Sequence, residues 1–116
     1  MSYRYSDYTV EQLRGEVEKL KEKALEAESL GEVNRVAINE RKIQIVLSYM
    51  LNPTDYHSED IHELNSDPGH TFKIDYINGV MAWGYRINLL GEVYEEIEAI
   101  PLALLGDKVN HSTQTD

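Results

Sequence analysis

His70 to Ile87 reads HTFKIDYINGVMAWGYRI, and the pairing inside this stretch decides the fold. Two alternating apolar runs flank Asn78-Gly79, a pair suited to a two-residue β-hairpin because a type I′ turn demands positive φ at both positions. With Asn78-Gly79 as the loop, Ile77 faces Val80, Tyr76 faces Met81, Ile74 faces Trp83 and Phe72 faces Tyr85. One face of the ribbon then carries Phe72, Ile74, Tyr76, Met81, Trp83 and Tyr85. The other carries Lys73, Asp75, Ile77, Val80, Ala82, Gly84 and Arg86. Tyr76, Trp83 and Tyr85 could stack on bases or line a groove for a proline-rich peptide. Sharing a face with Phe72 and Ile74 favours a core role centred on Trp83. On the opposite face, Ala82 and Gly84 leave a shallow trough between Asp75 and Arg86. That trough reads either as a dock for a partner or as plain sheet exterior.

Working outward, Ser66-Asp67-Pro68-Gly69 supplies the turn before the ribbon. Glu59 to Asn65 is a short strand around Ile61 and Leu64, preceded by a polar connector over 53–60. Beyond the ribbon, Gly91 marks a turn. Glu92 to Ile100 then alternates around Val93, Ile97 and Ala99. Pro101-Leu-Ala-Leu-Leu105 predicts a 3₁₀ turn and a last short strand. Five short strands at this spacing predict a small barrel. The polar chain from Asp107 is expected to be a disordered tail.

The first half follows a different period. Thr9-Val10-Glu11-Gln12 is a capping box, and Val10, Leu13, Val17, Leu20, Ala24 and Ala27 follow in steps of three and four, one stripe of a helix. Gly31 is the stop. A second helix runs from about Glu32 to Leu51 and ends at Asn52-Pro53. Its main stripe is Val33, Val36, Ala37, Ile43, Leu47, Met50 and Leu51. Ile38, Ile45 and Tyr49 lie nearly opposite. The short Gly31 link makes the helices an antiparallel hairpin. The second stripe must therefore be buried by the β-part, by another copy in a homodimer, or by each in part. Glu40 falls inside the main stripe. It either pairs with Lys21 or Lys23 or escapes at the stripe edge. The tyrosines of Ser2–Tyr8 are expected to pack rather than bind.

Charge and composition narrow the function. The net charge is −10 and there is no cysteine, so disulfide and thiolate chemistry are excluded. Residues 1–52 hold eight Lys/Arg against nine Asp/Glu, while residues 53–116 hold three against twelve. An acidic second half repels phosphate backbones. Any nucleic-acid contact belongs to the helices, through Arg35, Arg41 and Lys42 with Lys19, Lys21 and Lys23. The interleaved glutamates explain the same residues as intrahelical ion pairs. His57, His62, His70 and His111 show no metal-ligand spacing and read as solvated loop histidines. No carboxylate pair, phosphate loop or nucleophile elbow stands out. The N-terminus lacks an apolar leader and no apolar run could span a bilayer. The expectation is a cytoplasmic protein without membrane attachment, cofactor, metal or catalytic residues.

Glu40-Arg41-Lys42 with Leu51-Asn52-Pro53, and Tyr76-Ile-Asn-Gly-Val80 with Ala82-Trp-Gly-Tyr-Arg86, closed by IPLALL, resemble the YfhH family of Bacillus-type Gram-positive bacteria. The resemblance covers about Tyr3 to Leu105. It implies a helical hairpin followed by an SH3-like barrel and brings no established activity, only a transcriptional-regulator label. The combined expectation is an α+β chain: a helical hairpin over 1–52, a five-stranded SH3-like β-barrel over 53–105 and a disordered tail over 106–116. The function expected is a non-enzymatic regulatory or protein-interaction module, with Ile38, Ile45, Tyr49, Asp75 and Arg86 as partner-binding candidates. The alternative is a transcriptional regulator that binds nucleic acid through the hairpin.

Overall fold

The computed structural model describes residues 4–109. The chain divides into two compact units, Met1–Leu51 and Asn52–Asp116. The expected disorder of the last residues, and His111, lie outside the described part.

The first unit holds α1 (Val10–Ser29) and α2 (Val33–Ser48). Thr9 caps α1 in both directions: its hydroxyl accepts from the Gln12 amide at 3.1 Å, and the Gln12 side chain accepts from the Thr9 amide at 2.9 Å. The far end closes in a Schellman motif, with Glu32 N–H donating to Ala27 and Gly31 N–H to Glu28. Leu13, Val17 and Leu20 pack with Val46, flanked by Ile43, Leu47 and Met50. The α2 stripe runs through Asn39, Ile43, Val46 and Met50, in the three-and-four spacing of a coiled-coil seam. It departs from the expected stripe. Val33 is 76% exposed and Ala37 is exposed, whereas Asn39 is buried with its amide donating to the Arg35 carbonyl. Ser48 is also buried, its hydroxyl satisfied by the Gln44 carbonyl. A local acceptor one turn back lets both side chains stay inside. Glu40 is exposed, and Lys21 pairs with Glu18 instead.

The second unit is a five-stranded antiparallel sheet: β1 (Ile61–Leu64), β2 (Thr71–Asn78), β3 (Met81–Ile87), β4 (Glu98–Pro101) and β5 (Leu105–Lys108). The order is β4-β3-β2-β1-β5, with β4 and β5 at opposite ends, so the sheet is open rather than a closed barrel. A 3₁₀ turn, Leu102–Leu104, precedes β5 as expected. β5 continues to Lys108, beyond the expected end at Leu105 and into the start of the supposed tail.

The ribbon pairs differently from the expectation. Asn78 pairs with Met81, so the loop is Gly79-Val80. Gly79 alone takes positive φ, 63°, which is the demand of a type II′ turn. Val80 instead packs on the sheet core, and its carbonyl accepts from the Leu102 amide at 2.9 Å. Ile77 then pairs with Ala82 and Tyr76 with Trp83, while Ile74 pairs with Gly84 and leaves Asp75 as a bulge. A one-residue shift turns a strand over. Phe72, Ile74, Ala82 and Gly84 are buried; Trp83, Tyr85 and Met81 are only part-buried and Tyr76 is exposed. The core role assigned to Trp83 is therefore wrong. It stacks on Tyr76, on the opposite face, with ring centroids 5.9 Å apart.

The supposed trough is the core itself. A Cβ on Gly84 would lie 2.0 Å from the Lys73 carbonyl oxygen and 3.0 Å from the Phe72 ring, so the strands approach too closely for any side chain there. Leu64, Phe72, Ile74, Ala82, Ile100, Leu102 and Leu105 fill the interior. His62 joins them at 6% exposure, with Nδ1 3.0 Å from the Gly106 carbonyl, and is not a solvated loop histidine.

Candidate functional site

Arg86 closes the core face of β3. Its Nε and one terminal nitrogen donate to the two carboxylate oxygens of Glu98 at 2.9 and 2.8 Å, and the other terminal nitrogen donates to Asp67 at 2.5 Å. The fork is about a quarter exposed. Bidentate charge-assisted pairing of this kind is strong and geometrically selective. The Glu98 hydrogen bonds hold the Arg86 guanidinium well above its ordinary pKa, against the opposing effect of burial. Arg86 in turn holds Glu98 below the usual carboxylate range. Arg86 is thus committed within its own unit, joining β3 to β4 and to the turn before β2. Asp75, its expected companion, is the exposed bulge residue.

The same network fixes the segment after β3. The Tyr94 amide donates to the Arg86 carbonyl at 2.8 Å, and its hydroxyl lies 3.0 Å from His70 Nε2. His70 Nδ1 stands 3.2 Å from Asp67 without a hydrogen bond between them. Before it, Asn88 organises a tight turn. Its side-chain oxygen accepts from the Leu90 and Glu92 amides at 2.9 and 3.0 Å, and its side-chain nitrogen donates to Glu92 at 2.8 Å. This is an Asx turn, in which a side chain replaces a backbone acceptor.

That turn holds Leu89 and Leu90 outward at 82% and 83% exposure, and Val93, Tyr94 and Ile97 are also exposed. Five large apolar side chains thus crowd into nine residues, interleaved with the exposed Glu92, Glu95 and Glu96. So many exposed apolar side chains in one short segment, alternating with carboxylates, suit contact with a partner.

The stretch over 3–106 matches the family model described as "Protein of unknown function (DUF1811)". The chain belongs to the DUF1811 family. It is 39% identical over 108 residues to "Uncharacterized protein YfhH" of Bacillus subtilis (strain 168), covering 93% of this chain and 99% of that protein. The resemblance to the YfhH family read from the sequence therefore stands.

The other residues singled out in this DUF1811 chain are dispersed. Ile38 is 53% exposed, one position off the Asn39 seam, and not buried as expected. Ile45 is part-buried. Tyr49 is taken up by its own unit, with its ring edge-on to Tyr5 at 5.8 Å. Arg35 is paired with Glu32 at 2.8 Å, while Arg41 and Lys42 are exposed. Among the described residues, no three His, Cys, Asp or Glu side chains are grouped to hold a metal ion. No helix among them is long and apolar enough to cross a membrane. The sequence reading misses the Leu89–Ile97 ridge because it places Val93 and Ile97 on an alternating strand over Glu92 to Ile100, whereas β4 begins only at Glu98. The signal available was Asn88 and Gly91 bracketing Leu89-Leu90, which is a turn, and turns lie at the surface.

Proposed function

We propose that this protein is a non-enzymatic, cytoplasmic interaction module that regulates by binding another protein, and that its sheet unit is an opened SH3-like module. The strand order, with a 3₁₀ turn before the last strand, supports the SH3-like reading. A fold of this kind does not name a partner. The observation that carries the interaction reading is the fixed display of Leu89 and Leu90 by the Asn88 turn. Leaving two leucines in water is unfavourable by about 25 cal/mol per Å² of apolar surface, a loss that contact with a partner recovers.

The nucleic-acid alternative has less support. Arg35 is already neutralised by Glu32, and counterion release needs several free cations on one face. The test places a photo-crosslinking amino acid at position 90 of the full chain in a Bacillus host. Discrete adducts to another protein, lost when Leu89 is changed to serine, are the expected result. Adducts to nucleic acid, or none, would refute the reading.

A further inference from the structure

We propose that the ridge Leu89–Ile97 docks a basic amphipathic segment of a partner protein, its apolar side chains on Leu89, Leu90, Val93 and Ile97 and its Lys or Arg side chains on Glu92, Glu95 and Glu96. This rests on the interaction reading above and adds the chemical class of the partner.

Charge decides the class. From Ile87 to Leu104 the chain has four glutamates and no lysine or arginine. Glu98 is consumed by Arg86. Glu92, Glu95 and Glu96 are exposed, and Glu92 reaches only the neutral Asn88 amide. Three uncompensated carboxylates thus alternate along the segment with exposed apolar side chains. They attract a cationic segment and repel an acidic one. The same sign disfavours a two-fold contact of this ridge with itself in a second copy, because an isologous interface sets like charges against each other. It also disfavours an anionic lipid surface. The ridge is pre-ordered by the Asn88 turn and by the Tyr94 bonds to Arg86 and His70. Binding therefore need not order a loose loop.

The test uses the full chain and two synthetic helical peptides with one leucine face in common, the polar face being lysine in one and glutamate in the other. The lysine peptide is expected to bind and to shift amide resonances chiefly over 88–98. Leu89→Ser with Leu90→Ser should weaken binding at least tenfold while leaving thermal unfolding unchanged, since both side chains are exposed. Glu92→Gln, Glu95→Gln and Glu96→Gln together should weaken it and flatten its salt dependence. Glu11→Gln, Glu18→Gln and Glu22→Gln on α1 should do neither. No binding of the lysine peptide, shifts centred elsewhere, or indifference to the ridge glutamates overturns the proposal. Equal binding of the glutamate peptide on the ridge rejects the basic class and leaves the interaction reading standing. A wild-type dimer that Leu89→Ser dissociates would show that a second copy covers the ridge, and overturns it too.

Discussion

In the helical unit the ion pairs lie on the surface. Lys21 meets Glu18 at 3.5 Å with both side chains more than half exposed, and Arg35 meets Glu32 at 2.8 Å, also one turn apart. In the sheet unit Arg86 is about a quarter exposed and gathers carboxylates 12 and 19 residues distant in sequence. The first kind of pair steadies a helix that the seam already holds. The second adds a side-chain clamp to the β3–β4 ladder and ties the turn before β2 to the same strand. Position in the chain, not the number of charges, decides what each pair contributes.

The sharpest way to break this contrast lies in the cores. Phe72→Ala should destabilise the sheet unit by about 3–5 kcal/mol, because a fully buried aromatic ring leaves a cavity. Trp83→Ala, on the opposite face, should lose only about 1–2 kcal/mol, mostly its stacking on Tyr76. Chemical denaturation of both variants checks the face assignment; the reverse order would restore Trp83 to the core. Gly84→Ala comes next, at about 1–3 kcal/mol, towards the upper end because the obstacle is the Lys73 backbone and not a movable side chain. A silent Gly84→Ala would mean that the strands are further apart than described.

Arg86→Met should destabilise by about 1–2 kcal/mol, discounted for partial exposure. Its acid dependence carries a definite sign. Arg86 holds the Glu98 carboxyl below its ordinary pKa. The folded form therefore binds that proton less readily than the unfolded chain. The stabilisation is fully present above the unfolded value and is lost as pH falls through the lower, folded one. Glu98→Gln should flatten that part of the stability curve, as followed by denaturant melts at several pH values. Smallest of all, Lys21→Gln in the helical unit should change stability by less than about 0.5 kcal/mol. A larger loss would give the exposed helical pairs a weight like that of Arg86.

The two units also differ in how far their residues could be read. The capping box at Thr9, the α1 stripe from Leu13 to Ala27 and the Gly31 stop were legible because each depends on local spacing, although Val10 at the head of the expected stripe is exposed. The α2 seam was legible only in part. Asn39 and Ser48 are polar, and their burial depends on carbonyls of their own helix that a hydrophobic pattern does not count. In the sheet the existence of the ribbon was plain, but its faces were not. Moving the turn from Asn78-Gly79 to Gly79-Val80 keeps Tyr76 on the face of Trp83, but the Asp75 bulge turns β3 over relative to Phe72 and Ile74, whereas a similar offset in a helix only rotates its stripe. Arg86 could be picked as unusual, but its partners are distant in sequence. The Leu89–Ile97 ridge was hidden because exposure there comes from a side-chain turn, and an apolar residue says nothing by itself about whether it faces in or out.

The open sheet has a consequence for the protein at high concentration. A free strand edge is a template for fibril growth, since it offers a row of unpaired amides and carbonyls to the next chain. Here both ends of the sheet are four-residue strands. β4 terminates in Pro101, which has no amide hydrogen to offer, and begins with a glutamate locked to Arg86. β5 finishes in the exposed charges Asp107 and Lys108. Short, charged and proline-ended edges discourage cross-β growth. Concentrated solutions should therefore remain free of amyloid-type order, and a thioflavin signal that grows on storage would show that one edge is less guarded than its sequence suggests.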